Sequence, residues 1–257
     1  MAGQSKSSDH WDRFWQKKSD VRKVYSNEGR IADNLERVTA LHAKLVLEVG
    51  AGTGRDSADL ADRGAIVVVL DSSFDAIEII RDIMATQGVR LIPVVGDAMA
   101  LPFNSESFQV VFHQGLMEHF EDPQEMLREN HRVLENEGHL LVDVPQRFHP
   151  YTAVKHVLMA LGKWFAGWET EYTIGTLIET VMLAGFNNVV HKYGSWMNPS
   201  FFYRSIREAF MNFGIELPLY PELPSPIKKA RSGLREKTSS CRAAFYTYHT
   251  IGVIAQK

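Results

Sequence analysis

Between residues 44 and 144, short apolar runs alternate with stretches in which apolar residues recur at helical spacing. That rhythm is the pattern of βαβ units, which build a parallel sheet. It predicts five strands, over 45–49, 65–70, 91–95, 108–112 and 139–144, and helices over 74–87 and 122–135. Gly64, Gly88 and Gly138 sit where helices are expected to stop, because glycine closes a helix in the left-handed conformation. After Pro145 the rhythm loosens. Residues 153–168 are apolar and aromatic but interrupted by Lys155, His156 and Lys163, a helix is predicted over 173–184, and two more strands over 188–193 and 243–255. The stretch of about 50 residues between those strands holds Pro199, Pro218, Pro221, Pro224 and Pro226, is too long for a plain connection, and reads as a lid over the sheet. The first 40 residues, with Trp11, Phe14, Trp15 and Tyr25, read as a second part of that cap.

Composition narrows the function. A chain of 257 residues, 45% hydrophobic and 23% charged, buries a real core and is not disordered. Twenty-eight Lys plus Arg against 31 Asp plus Glu leave a net charge of −3, without the positive field of a dedicated DNA or RNA binder. The single cysteine, Cys241, forms no intrachain disulfide, and no Cys/His spacing suits a zinc finger. No apolar leader and no run of about 18 apolar residues occurs, so a soluble, cytoplasmic protein is expected. Residues 153–168 are expected to pack on the sheet, the other reading being an amphipathic lid or a membrane-facing surface. Lys228, Lys229, Arg231, Arg235, Lys237 and Arg242, opposed only by Glu236, are expected to form a solvated loop; an anionic acceptor, lipid headgroup or RNA would also suit them. Nothing in the sequence reports the oligomeric state.

The most informative segment runs from Val46 through Glu48, Gly50, Ala51, Gly52 and Gly54 to Ser57, a strand entering a Gly-x-Gly-x-Gly turn and then a helix. Glycine lets a ligand approach bare backbone, so a nucleotide site is implied. Asp71, 21 positions after Gly50, ends the second strand, where one carboxylate accepts from both hydroxyls of a ribose; it could also cap the helix starting near Ser72. A dinucleotide loop wants Gly-x-Gly-x-x-Gly, whereas Gly54 falls one place early and Arg55 is not small, which argues against NAD or FAD. No Gly-x-x-x-x-Gly-Lys-Ser/Thr occurs, so a phosphate-cradling NTPase loop is absent.

With these segments in view, the sequence resembles the class I S-adenosylmethionine-dependent methyltransferases, in their small-molecule, type 11 branch. Besides the glycine turn and Asp71, the resemblance rests on Gly96-Asp97-Ala98 followed by Leu101-Pro102-Phe103, on Leu116-Met117-Glu118-His119 followed by Asp122-Pro123, on Arg132-Val133-Leu134 and on Gly138. It implies an α/β, Rossmann-like, doubly wound fold with a seven-stranded, mostly parallel sheet and helices on both faces. The chain is then one domain over 1–257, with a cap segment over 1–40, a cofactor-binding core over 41–150, and remaining strands over 151–257 with lid insertions at about 151–172 and 197–242.

The resemblance also implies S-adenosyl-L-methionine as cofactor, S-adenosyl-L-homocysteine as its product, and a small-molecule acceptor. Gly50, Ala51 and Gly52 are expected under the methionine moiety, Glu48 near its ammonium group, Asp71 on the ribose and Ser72 beside the adenine. Asp97 and Ala98 are expected at the adenine edge, and His113 and Gln114 near the methyl group. Such a cofactor carries a sulfonium and no phosphate, so carboxylates and close backbone suit it better than basic side chains. The reaction is an in-line displacement that needs alignment and exclusion of water, with a base where the acceptor carries a proton. The candidate bases are His119 first, then His113, Glu118 and His149, with Tyr151 and Tyr172 as orienting groups. No metal is expected, since Gly115 stands where metal-assisted quinone-pathway O-methyltransferases with a similar Glu-His segment carry a further carboxylate.

Overall fold

The computed structural model describes residues 11, 15, 29–162, 169–197, 199–218, 220–221, 225–226, 229, 233–234, 237 and 242–257. Seven strands form one sheet in the order β3-β2-β1-β4-β5-β7-β6: β1 Leu45–Val49, β2 Ile66–Asp71, β3 Leu91–Val95, β4 Phe108–Gln114, β5 Leu134–Pro145, β6 Asn188–Ser195 and β7 Thr250–Gln256. The first five are parallel, and β7 runs antiparallel to both β5 and β6. The chain moves outward from β1 to β3 and then returns to β4 on the other side of β1. That reversal opens a crevice beyond the carboxyl ends of β1 and β4, where open α/β sheets bind ligands.

Strand alternation gives the sheet two apolar faces. Val46, Val67, Val69, Val110 and Phe112 meet helices α1 (Arg30–Leu35), α2 (Arg55–Asp62) and α3 (Phe74–Gln87) through Ile31, Leu35, Leu60, Ile77 and Ile80. Leu47, Val49, Val111, Leu140 and Val142 meet α4 (Gln124–Val133) and α6 (Ile174–Leu183) through Met126, Leu127, Leu177 and Val181. Each fully buried Leu, Ile or Val adds about 1.5–3 kcal/mol, so a sheet covered on both faces is the main source of stability. Local chemistry agrees with these boundaries. The Ser73 hydroxyl accepts from Ala76 N–H to start α3, Gly88 at φ 72° ends it, and Thr173 and Thr176 form a capping box for α6.

Two expectations fail. The last strand begins at Thr250 rather than at 243, because residues 242–246 form a 3₁₀ turn ending in Tyr246. Gly138 stops no helix: α4 ends at Val133, and Gly138 lies inside β5, where a register shift lets the chain bulge and a Cβ would stand 2.9 Å from Glu135 O.

Two further helices among the described residues are α5 (Pro150–Ala160) and α7 (Phe201–Asn212). In α5, contrary to an ordinary sheet-packing helix, the residues turned inward are Thr152 and Lys155, while Val157 and Leu161 beyond its end are exposed. The rest of the expected segment, 163–168, lies outside the described residues, as do most of 1–28 and much of 222–241.

Candidate functional site

The glycine turn is fastened to the end of β2. Gly50 and Ala51 N–H both donate to Leu70 O, at 2.8 and 3.0 Å. Gly52 N–H donates to Asp71 Oδ2 at 2.8 Å, Ser73 N–H to Asp71 Oδ1 at 2.9 Å, and Gly96 N–H to Asp71 O at 3.0 Å. Asp71 therefore ties together the loops after β1, β2 and β3. Each of its carboxylate oxygens takes a backbone donor. Gly50 has φ 69° and Gly52 φ 55°, and a Cβ there would stand 2.8 Å from Leu116 Cδ1 and from Trp15 Cζ2 respectively. Both positions require glycine for conformation and for close approach.

Behind the turn, Glu48 is buried and accepts a short hydrogen bond from the Ser57 hydroxyl at the start of α2. Burial, and then the neighbouring Asp56, push its carboxyl well above the usual range, so a cation nearby would be welcome. Asp97 is exposed and accepts from Met99 N–H through Oδ1 at 2.9 Å, while Ala98 is buried beside it. The Leu-Pro-Phe turn that follows is held by Arg132, which donates to Phe103 O at 2.8 Å and Leu101 O at 3.0 Å and pairs with Glu129. Ser72 is exposed at the β2 end. Topology thus brings Glu48, Gly50, Ala51, Gly52, Asp71, Ser72, Asp97, Ala98, His113 and Gln114 to one edge of the sheet.

The proposed bases separate. His113, on β4, is fully buried with neither ring nitrogen hydrogen-bonded, and burial lowers its pKa to about 3. The ring is neutral at physiological pH and a poor proton acceptor, which removes the expected role as a base and leaves that of a pocket wall. His119 closes a 3₁₀ turn after β4, is half-buried, and meets the Trp11 ring edge-on at 4.9 Å between centroids. His149 serves α5 as its N-cap, accepting from Tyr151 N–H through Nδ1 at 3.1 Å. Glu118 is buried, its Oε2 has no hydrogen-bond partner, and burial first, then Glu169 and Asp143, raise its pKa to about 8 against the pull of Lys155.

Beyond β5 lies a second, charged neighbourhood. Lys155, buried, pairs with Glu169 at 3.1 Å and Glu171 at 3.3 Å, and Thr170 N–H donates to Glu118 O at 2.6 Å. An open cleft of about 500 Å³ is lined there by Arg147, His156, Met159, Glu169, Thr170 and Glu171. Sequence reasoning missed the Lys155 pairs because the partners come from a segment of no regular pattern. It also missed a triad that joins α1 to β5 and β6 around the buried Asp143: Arg30 Nε donates to Asp143 Oδ2 at 2.9 Å, and Tyr193 OH to the same oxygen at 2.9 Å. The only signal was an aspartate within the apolar run Leu140–Val144.

A family described as "Methyltransferase domain" matches residues 47–142. Methyltransferase GfsG of Streptomyces halstedii is 31% identical over 133 residues, covering 50% of this chain and 48% of the relative. A demethylmenaquinone methyltransferase of Renibacterium salmoninarum is 35% identical over 112 residues, covering 42% and 44%. The chain thus spans about half the length of these relatives. In structure, an S-adenosylmethionine-dependent methyltransferase from Mesorhizobium loti superposes with a TM-score of 0.58 at 16% identity, over 89% of this chain and 98% of the other, a likeness of fold.

Proposed function

We propose, from the premise that residues 47–142 belong to the class I S-adenosylmethionine-dependent methyltransferase family, that this protein moves a methyl group from S-adenosyl-L-methionine to a small-molecule acceptor. The observation that carries this reading is the Asp71 carboxylate, fixed by Gly52 and Ser73 N–H beside a turn that admits no Cβ. A carboxylate held in that way recognises a ribose, and bare backbone next to it admits the extended amino-acid end of the cofactor.

When bound, the cofactor supplies a methyl carbon activated by an adjacent sulfonium. Asp71 would accept from the two ribose hydroxyls, with Ser72 beside the base. Gly50, Ala51 and Gly52 lie under the methionine moiety, and Glu48 balances its ammonium group. Asp97 would accept from the exocyclic amine, and Ala98 would pack on its edge. Gln114 and the neutral His113 wall the methyl side. His119 takes the acceptor's proton when the acceptor is a hydroxyl or amine, and the Trp11 ring against it excludes water. Trp11 and Trp15, the latter against Gly52, thereby act as a cap.

The demethylmenaquinone methyltransferase among the relatives favours an apolar acceptor, and peripheral contact with a membrane from a cytoplasmic location belongs to the same reading. Among the described residues, no helix is long and apolar enough to cross one. The test is transfer of label from methyl-labelled S-adenosylmethionine to a panel of phenols, hydroquinones, amines and lipids, with RNA and protein alongside. Label on a small molecule is expected. Label on RNA or protein, or cofactor binding without any transfer, overturns the reading.

A further inference from the structure

We infer that Lys155 is a positioning residue for His119, acting through a strap formed by residues 169–171. The strap is gripped on two sides. Lys155 Nζ, on α5, pairs with Glu169 Oε2 at 3.1 Å and with Glu171 Oε1 at 3.3 Å, the residues on either side of Thr170. Thr170 in turn donates from its N–H to Glu118 O at 2.6 Å and from its hydroxyl to Phe120 O at 3.3 Å, the residues on either side of His119. The contacts thus run from one buried ammonium group to the two carbonyls that flank the proposed base. The turn they hold is short. It is closed by His119 N–H to Leu116 O at 3.1 Å and Phe120 N–H to Met117 O at 3.2 Å, and a single 3₁₀ turn does not keep its shape without help from outside.

The alternation of the strap gives it one register. In extended chain, successive residues turn to opposite sides, so Glu169 and Glu171 reach the lysine while Thr170 reaches the turn after β4. A slip by one residue would set Thr170 against the ammonium group and the two carboxylates against the carbonyls of Glu118 and Phe120, where like charges repel. The strap's far end is pinned as well, by a parallel bridge between Gln146 and Tyr172 and by Arg147 N–H donating to Tyr172 O at 2.9 Å. The choice of a lysine also points to geometry. Its side chain is 4% exposed and that of Glu169 7%. A buried ion pair stabilises a fold little more than apolar side chains of the same size would, but it fixes direction and register. Direction matters here because a base works only within hydrogen-bond reach of the proton it takes. The catalytic use rests on the proposed methyl transfer with His119 as its base, whereas the grip on the turn does not.

The test joins NMR of the full chain without cofactor to turnover measured separately. In the wild type, the Trp11 ring edge-on to His119 at 4.9 Å gives the imidazole protons a ring-current shift. Lys155→Met should move that resonance, assigned with His119→Gln, toward the position of free histidine. It should also lower kcat about thirtyfold while S-adenosylmethionine affinity stays within about twofold, the signature of a misplaced group rather than a lost binding contact. Thr170→Val keeps the side chain's shape and removes only its hydroxyl; it should move the same resonance and lower kcat about fivefold, as for one hydrogen bond. Thr170→Ser should restore both. If Lys155→Met does not fold, the Thr170 variants decide. An unmoved His119 resonance in Thr170→Val and in folded Lys155→Met overturns the inference, and so does a kcat lowered equally by Thr170→Val and Thr170→Ser. The two proposals fail separately. A wild type without S-adenosylmethionine affinity sinks methyl transfer and leaves the His119 resonance to measure the grip of the strap, whereas turnover that none of these variants changes sinks only the positioning role.

Discussion

The two ends of the sheet's carboxyl edge are built from different materials. At the β1–β2–β3 end, the candidate site is backbone: glycines in left-handed conformations, amides donating to Asp71 and Leu70, and a turn clamped by Arg132. At the β5–β7–β6 end it is side chains: Lys155 between two glutamates, Glu118 with an unpartnered oxygen, and helices that turn cations inward. A backbone site demands particular residues at particular spacings. A side-chain site is satisfied by many arrangements, so one end can be shared by a family while the other sets what a single member accepts.

The largest effect expected lies at the β5–β7–β6 end. Asp143→Ala would leave the Arg30 guanidinium buried without its carboxylate, and should cost about 3–5 kcal/mol in denaturant unfolding. A loss below about 1 kcal/mol would show the triad to be dispensable. Glu118 comes next, through its pH dependence. Its folded pKa of about 8 lies above the ordinary 4.5, so the folded state holds the proton more tightly than the unfolded one. Stability should therefore fall as pH rises from about 4.5 to about 8, and Glu118→Gln should flatten that fall. Unfolding free energies followed across this range decide it, and an unchanged slope in the variant would place the carboxyl in water. His119→Ala is expected to lower turnover about a hundredfold with cofactor affinity intact. A wild-type rate would hand the proton to another group. Smallest is Gly50→Ala, about 1–2 kcal/mol of cofactor binding from left-handed strain, with Leu116 forced to move. Unchanged affinity would mean that the turn relaxes freely.

The same contrast explains what the sequence made legible. Strands β1 and β3 lie where the alternation put them, and Asp71, Asp97 and the glycine turn meet at one edge because a parallel sheet brings its strand ends together whatever the side chains do. The β7 boundary was misplaced because Ala243, Ala244, Phe245 and Tyr246 are as apolar as a strand, and only tertiary packing turns them into a 3₁₀ segment. His113 reads as reactive in sequence, yet the sheet closes around it and removes its basicity. Lys155 and α7 were illegible for a different reason. A periodic pattern fixes which residues share a helix face, but not which face turns inward. Where charged residues point inward, the usual inference from apolarity to burial reverses.

The central claim is that Asp71 and the glycine turn hold an adenosine-bearing sulfonium cofactor at the crossover between β1 and β4. Calorimetric titration of wild-type protein and Asp71→Ala with S-adenosylmethionine tests it most directly. Saturable binding by the wild type is predicted, with Asp71→Ala weaker by about 1–3 kcal/mol. Absence of binding to the wild type, or equal affinity in the two proteins, would contradict it.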